Sequence, residues 1–316
     1  MTKKRILITG GTGFLGKYLA LELKQHYEIW LTGRNYAQNL HAAQTTGCAV
    51  LPMELSHRER VNEVFAQVKP HIVIHAAAAK FVHLAEVFPT DYVDTNLLGS
   101  SHIAQAAIDH GVQTVVGIST DKATPPVFNL YGLTKALMER MFCNLNLTQP
   151  TRFTTVRFGN IFWASGSVLD IWRKCLAKNA PLPMVNLPTR RFYFTVGEAI
   201  DLIRTAFEQI DHTAGAVLTC PMQAVDFQDL QQAWAATWGG NFAPIAPRIG
   251  DSADEWLIGE SELDFTSRWF HNDHLYYLID PHKKAQTALE EPLFTLNAPM
   301  FAPEVLQQIL QKSLEA

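Results

Sequence analysis

An α/β chain with a doubly wound parallel sheet is what this sequence predicts, and two patterns carry the expectation. Short runs rich in β-formers alternate with helical patterns through the first half, as in βαβ units. Several of these runs are apolar almost throughout, which suits strands covered by helices on both faces. A third observation sets a limit to the pattern. Beyond Gly159 proline thickens, at Pro181, Pro183 and Pro188 and again at Pro244, Pro247 and Pro281, and the regular alternation lapses.

Taken in order, strands are expected at 5–9, 28–32, 49–53, 72–75, 114–118 and 154–158. Helices are expected between them at 15–25, 58–68, 95–110 and 131–147. Residues 1–160 are read as the sheet domain. Residues 161–316, with helices at 168–178 and 196–209, are read mainly as a smaller C-terminal substrate-binding lobe that can interleave with the sheet. No repeat or low-complexity tract interrupts the chain.

Composition narrows the function classes. Of 316 residues, 47% are hydrophobic and 18% charged, so the chain can bury a core without disulfides or a structural metal. The four cysteines (Cys48, Cys143, Cys175, Cys220) are scattered, which points to a reducing compartment and away from a zinc ribbon. A net charge of −4 with no dense Lys/Arg block disfavours a nucleic-acid partner. The apolar run after Lys3-Lys4-Arg5 is too short for a signal peptide, and no stretch reaches the about eighteen apolar residues that span a bilayer. A soluble, cytoplasmic protein is expected. His271 and His274 lack a third ligand, so no metal site is expected either.

The strongest local signal lies at the first strand–helix junction. Gly10, Gly13 and Gly16 fall at G-x-x-G-x-x-G spacing within Thr9-Gly10-Gly11-Thr12-Gly13-Phe14-Leu15-Gly16. Glycines at this spacing allow a tight turn, close approach of backbone to a pyrophosphate, and close packing of helix on strand. The helix start presents free N–H groups and a positive dipole end to phosphates. Because the loop follows a strand inside a βαβ unit, it predicts a Rossmann-type dinucleotide site contacted by Thr12, Phe14 and Leu15 as well. The second strand ends in Thr32-Gly33-Arg34, where an NAD site would place an acid for the ribose 2′-hydroxyl. Arginine suits a 2′-phosphate instead, so NADP is expected, with NAD the lesser choice.

After the fifth strand come Ser119-Thr120-Asp121-Lys122 and then Tyr131-Gly132-Leu133-Thr134-Lys135. A Y-x-x-x-K pair puts phenol and ammonium on one helical face. The cation favours phenolate, and the lysine can also hold the nicotinamide ribose.

With these motifs in view, the chain resembles the extended short-chain dehydrogenase/reductase superfamily. Within it the resemblance is to UDP-N-acetylglucosamine 4,6-dehydratases of the C5-inverting, pseudaminic acid pathway type. The matching pieces are GGTGFLG at 10–16, HAAAAKFVHLAE at 75–86, TNLLG at 95–99, STDKA at 119–123, YGLTK at 131–135, VRFGNIFWASGSV at 156–168 and RRFYFT at 190–195. RIGDSADEWLI at 248–258 matches more weakly. The resemblance implies a redox-neutral dehydration. Hydride leaves sugar C4 for NADP+ while Tyr131 takes the hydroxyl proton; a base removes the C5 proton; an acid protonates the departing C6 hydroxyl; hydride returns to C6. Asp121 is then the acid and Lys122 the C5 base. A base must be neutral part of the time, so burial or a cation, with Lys135 as the candidate neighbour, is expected to depress the pKa of Lys122.

The resemblance further implies that Ala76, Ala77 and Lys80 line the cofactor cleft, with Lys80 also reaching substrate. Ser119 and Thr120 are expected near the 4-hydroxyl and nicotinamide, Thr120 as the closer contact, and Asn96 as a brace for the active-site helix. Asn160, Arg191 and Arg248 are expected around a substrate diphosphate, with Arg190 a weaker candidate and Glu255 receiving a sugar or ribose hydroxyl. A homo-oligomer is implied. The chain departs from the family in three places. The segment from Lys122 to Tyr131 is about one residue long for the pattern, enough to displace the phenol. Asp170 stands where the family has a proline, and in Arg248–Glu255 the family's proline, lysine and histidine are replaced by Ile249, Ser252 and Asp254, which weakens anion binding and leaves the base, the sugar and the need for a nucleotide open.

Overall fold

The computed structural model describes residues 3–312. Its main sheet begins with β1 (Arg5–Thr9), followed by α1 (Phe14–Leu23), β2 (Glu28–Gly33), α2 (Tyr36–Thr46), β3 (Ala49–Pro52), α3 (Arg58–Val68) and β4 (Ile72–His75). Two short helices, α4 (Val82–Val87) and α5 (Pro89–Tyr92), lead through a π-helical turn (Val93–Leu98) into α6 (Gly99–Asp109). Then come β5 (Thr114–Ile118), a 3₁₀ turn at Asp121–Ala123, α7 (Leu130–Thr148), β6 (Arg152–Val156) and β7 (Asn160–Ile161).

The remainder holds α8 (Val168–Leu176), β8 (Leu182–Val185), β9 (Arg190–Phe194), α9 (Val196–Glu208), α10 (Ile210–Thr213), β10 (Val217–Thr219) and β11 (Gln223–Asp226). It ends with α11 (Phe227–Trp238), β12 (Phe242–Ile245), β13 (Trp256–Ile258), a 3₁₀ turn at Glu260–Phe265, β14 (Thr266–His271), β15 (His274–Ile279), β16 (Leu293–Phe294) and α12 (Pro303–Lys312).

Nine strands form the large sheet in the order β14-β15-β10-β6-β5-β4-β1-β2-β3. Those from β3 to β10 run parallel; β15 and β14 close the far edge antiparallel. Residues beyond 160 thus supply three strands of this sheet, and the two halves of the chain interleave. The apolar runs are explained by burial on both faces. Ile6 and Ile8 enter one core with Leu19 and Leu23 of α1 and Ile203 of α9, while Leu7 enters the other with Phe65 of α3, Ile103 of α6 and Phe142 of α7. Each such side chain contributes roughly 1.5–3 kcal/mol by leaving water.

A three-stranded sheet β11-β9-β7 and the pairs β8–β12 and β13–β16 build the second region. Its own core gathers Phe162, Trp172, Tyr193 and Trp234 against Leu306 and Leu310 of α12.

Several boundaries differ from expectation for identifiable reasons. Helix α2 was not foreseen, because QNLHAAQTT offers no apolar stripe; Asn35 starts it by accepting a hydrogen bond from Gln38 N at 3.0 Å. The helix expected at 95–110 opens as a π turn before Gly99. The sixth strand sits two residues earlier than 154–158, at Arg152–Val156. His271 and His274 end a hairpin whose turn residues Asn272 and Asp273 have φ of 49° and 62°. Among the described residues no group of three or more metal-ligating side chains converges, and no helix is long and apolar enough to cross a membrane.

Candidate active site

Strand order reverses between β1 and β4, which opens a crevice at the carboxyl ends of the parallel strands. The glycine loop occupies it. Gly10 has φ of +65°, and a Cβ there would lie 2.7 Å from Ala77 Cα and 3.1 Å from Ala76 C, so the loops after β1 and β4 touch backbone to backbone. At Gly16 a Cβ would strike the backbone of Gly11. Gly13 is different: its Cβ would meet only Gly10 O, at 3.2 Å, leaving space in front of the helix. Gly13 caps α1 without any side-chain hydrogen bond, so the N–H groups of Phe14 and Leu15 face that space; Thr12 is buried at its side. These features fit a dinucleotide pyrophosphate.

Arg34 follows β2, largely exposed, with Nη1 3.9 Å from Glu54 Oε2. Among the described residues, its other donors have no partner. Lys80 crosses the cleft: its Nζ donates to Ser165 O, at 2.5 Å, ahead of α8. The loop carrying it is fixed by Asn96, which accepts from Ala79 N at 2.8 Å and donates to Ala79 O at 2.9 Å and to Thr134 Oγ1 at 3.1 Å. Asn96 therefore ties the β4 loop to α7. Beneath it, Thr9, His75 and Ser100 form a buried chain, with Oγ1···Nδ1 2.7 Å and Nε2···Oγ 2.9 Å. Burial and the Lys135 cation hold His75 down at about 3, so it stays neutral.

The chemistry-bearing residues lie at the end of β5 and on α7. Thr120 caps the Asp121–Ala123 turn and donates to Asp121 Oδ1 at 2.9 Å. Lys122 Nζ donates to the same oxygen at 3.0 Å. Among the described residues, Asp121 Oδ2 and Ser119 Oγ are buried without a hydrogen-bond partner. Burial, opposed by Lys122 and reinforced by Glu255, pushes the Asp121 carboxyl above its ordinary range.

Asn129 starts α7 by accepting from Gly132 N at 2.8 Å, which sets Tyr131 and Lys135 one turn apart. The segment from Lys122 to Tyr131 does not swing the phenol away: Gly132 packs against the Lys122 carbonyl, and Lys122, Asp121 and Thr120 all act on Tyr131. The expectation that Lys135 lowers the phenol is corrected: burial raises Tyr131 to about 12, and the cation pulling the other way is Lys122. Lys135 is buried, its only hydrogen-bond partner among the described residues the thioether of Met138 at 3.4 Å; burial lowers it to about 8. An ammonium so poorly satisfied fits the ribose hydroxyls of a nicotinamide nucleotide.

Two further expectations need correction. Lys122 is not depressed: burial opposes its charge, but the carboxylates of Asp121 and Glu255 outweigh burial and raise it above the ordinary lysine value. The cation acting against its charge is Arg191, not Lys135. Arg191, expected to clamp a diphosphate, spends most of its donors on the chain, giving to Arg190 O at 2.7 Å, Ala253 O at 3.1 Å and Ser252 O at 2.7 Å.

Glu255 is buried; its Oε1 lies 3.3 Å from Lys122 Nζ and 3.6 Å from Arg191 Nε and accepts from Ser252 Oγ at 2.8 Å. Arg190 is taken by Asp226 and Asp254, at 3.6 and 3.4 Å. Arg248 lies exposed on the far rim, its Nη1 3.4 Å from His83 Nδ1. Asp170 is neutralised by Lys174 at 2.6 Å and Arg173 at 3.0 Å.

Asn160 opens β7 opposite Tyr193 of β9. Tyr193 was missed from sequence. It shares the face of β9 that carries Arg191, since alternate residues of a strand point the same way. The Arg191 and Lys122 cations and the Asp121 carboxylate all act on its buried phenol, which burial raises to about 12.

Residues 6–261 match a family described as polysaccharide biosynthesis proteins. The chain belongs to this family. A UDP-N-acetylglucosamine 4,6-dehydratase (inverting) from Campylobacter jejuni is 30% identical over 89% of this chain and 84% of its own length. A second such enzyme, from another strain of that species, is 29% identical over 93% and 87%. Among solved structures, Pen from Bacillus thuringiensis has the same fold with a TM-score of 0.88, at 24% identity over 99% of this chain and 98% of that one. DesIV, a dTDP-glucose 4,6-dehydratase from Streptomyces venezuelae solved with NAD bound, superposes with a TM-score of 0.70 at 17% identity, over 79% of this chain and 86% of its own.

Proposed function

We propose that the protein is an NADP-dependent nucleotide-sugar 4,6-dehydratase acting on a UDP-N-acetylhexosamine. The observation that carries this reading is the Asp121–Lys122 pair, 3.0 Å apart beside Tyr131. An epimerase or reductase needs the Tyr131–Lys135 pair alone; an adjoining carboxyl and amine serve a reaction that moves two more protons. A bound nicotinamide dinucleotide supplies the hydride acceptor for C4 and the donor for C6.

The chain does the rest. Lys135 steadies the ribose, and Tyr131, entering the cycle as phenolate, takes the 4-hydroxyl proton. One proton passing from Lys122 to Asp121 along their hydrogen bond makes the amine a base and the carboxyl an acid in a single move. Lys122 then takes the C5 proton while Asp121 gives its proton to the C6 oxygen, which leaves as water. The amine returns a proton to C5, and the proton on Tyr131 passes back to Asp121, so that only water is lost. Arg34 is the proposed 2′-phosphate contact, and Lys80, Asn160 and Arg248 the proposed nucleotide contacts. The same reading makes the protein a cytoplasmic homo-oligomer.

Incubation with UDP-N-acetylglucosamine in deuterium oxide tests the proposal. Loss of water with deuterium at C5 is expected; an isomer without mass loss would instead indicate epimerisation, and no turnover with tight NADP binding a non-catalytic protein. Lys122→Ala is expected to cut C5 exchange at least a hundredfold while NADP affinity stays within about twofold. Arg34→Ala is expected to lower NADP affinity about tenfold, leaving NAD unchanged, by calorimetric titration.

A further inference from the structure

Two carboxylates face Lys122, and their surroundings push them in opposite directions. Asp121 is driven up by burial and by the charge of Glu255, and among the described residues its Oδ2 has no partner. Glu255, although buried, has two cations and the Ser252 hydroxyl around it and is held below the ordinary carboxylate range. When environments separate two carboxyls in this way, the one pushed up is suited to carry a proton and the other to stay a fixed anion. Asp121 changes its charge during the cycle because it carries the proton destined for the C6 oxygen, so the anion that stays constant beside the amine is Glu255.

We propose that Glu255 is a positioning residue for Lys122: its carboxylate aims the amine and stabilises the ammonium formed when Lys122 takes the C5 proton. The inference rests on the dehydratase reading. In the step concerned, the C5–H bond breaks and its electron pair becomes the C5–C6 double bond. The proton goes to Lys122 Nζ, and the C6–O bond breaks as Asp121 delivers its own proton to that oxygen. Positive charge develops on Nζ, 3.3 Å from Glu255 Oε1, as Asp121 gives up its proton. A flexible base with an oriented carboxylate behind it is the arrangement that nucleophile–base–orienter triads share.

The scaffold around Glu255 suits this role. Thr295 Oγ1 accepts from Glu255 N at 3.2 Å, and Arg191 grips the preceding carbonyls of Ser252 and Ala253. The strand β13 that follows is pinned under the Asp121 turn, where Thr124 Oγ1 donates to Leu257 O at 3.4 Å. The charged and titratable groups facing Lys122 are Asp121 on its own turn, Tyr131 on α7, Arg191 and Tyr193 on β9, and Glu255. Of these, Glu255 is the anion that the proposed chemistry leaves unchanged throughout.

The test is made on full-length protein with NADP bound. Lys122 is acylated competitively with acetic anhydride across a pH series and read by mass spectrometry, alongside the pH profile of C5 deuterium exchange. With Glu255→Gln, the Lys122 midpoint and the exchange profile are both expected to move to lower pH by about one unit or more, a tenfold change in amine availability below the midpoint. A merely structural contact would scale activity at every pH without moving either curve. An unmoved Lys122 midpoint overturns the inference. If Glu255→Gln does not fold, Glu255→Asp carries the test, its shorter arm giving a smaller shift in the same direction; no shift again overturns it. Wild-type protein that neither loses water nor exchanges C5 overturns the dehydratase reading and the C5 role together, whereas turnover with an unmoved midpoint overturns the inference alone.

Discussion

Lys135 shows how a single buried residue can link function to stability. Its ammonium is held at about 8, mainly by burial, with Glu139 one turn away opposing the shift. In the unfolded chain the amine titrates near its ordinary value of about 10.4. Below pH 8 both states hold the proton, and the folded protein bears the full cost of burying it. Between pH 8 and about 10 the folded amine is already neutral while the unfolded chain still binds the proton, so stability rises with pH. Above both values the penalty is gone. Lys135→Met is therefore expected to stabilise the cofactor-free protein at pH 7 by on the order of 3 kcal/mol and to flatten the rise above pH 8, measured by urea unfolding. On the proposed function, the same variant loses turnover. A residue kept against its own stability cost is one whose charge serves a ligand.

At the scale of elements, the glycine loop separates folding from binding within one turn. Gly10 is needed by the fold, because its φ is +65° and a Cβ would press on the backbone of Ala77 at 2.7 Å. Gly10→Ala is expected to destabilise the protein by about 2–4 kcal/mol. Gly13 is needed by the ligand, since its Cβ meets only Gly10 O at 3.2 Å and projects into the space before α1. Gly13→Ala is expected to leave the melting temperature of the cofactor-free protein within a few degrees while cutting dinucleotide affinity at least tenfold. Thermal shift with and without NADP reads both effects.

This turn was legible in the sequence because strand, glycines and helix are contiguous, and so were Asp121–Lys122 and Tyr131–Lys135. What the sequence withheld was contact between distant segments. Glu255 lies in a loop with no period of its own, and nothing local shows that it meets Lys122. Tyr193 reads as an ordinary apolar strand residue. Arg191 reads as a free cation, and only the fold shows that backbone carbonyls occupy it. Helix α2 escaped for a different reason: it is polar on nearly every face and owes its start to Asn35.

For the whole molecule, one buried cation joins these distant parts. Arg157, immediately after β6, is about 1% exposed. It donates to Glu139 of α7 at 3.0 and 2.7 Å, to Glu262 of the turn after β13 at 2.8 and 2.9 Å, and to Leu257 O at 3.1 Å. Glu262 in turn accepts from Gly259 N at 3.0 Å. One guanidinium thus fastens the helix bearing Tyr131 and Lys135 to the segment bearing Glu255. Removing one partner of a buried ion cluster strands the others without compensation, so Arg157→Ala is expected to cost about 3–5 kcal/mol in chemical denaturation. Replacing Arg157, Glu139 and Glu262 together with leucines removes the stranded charges and is expected to recover most of that loss. It is not expected to recover turnover, because apolar contacts leave the two segments freer to shift by the fraction of an ångström that proton transfer does not tolerate. If the triple variant is both stable and fully active, the cluster serves the fold alone. If it is stable with C5 exchange slowed more than C4 oxidation, the cluster holds the Glu255 segment in register with the catalytic helix.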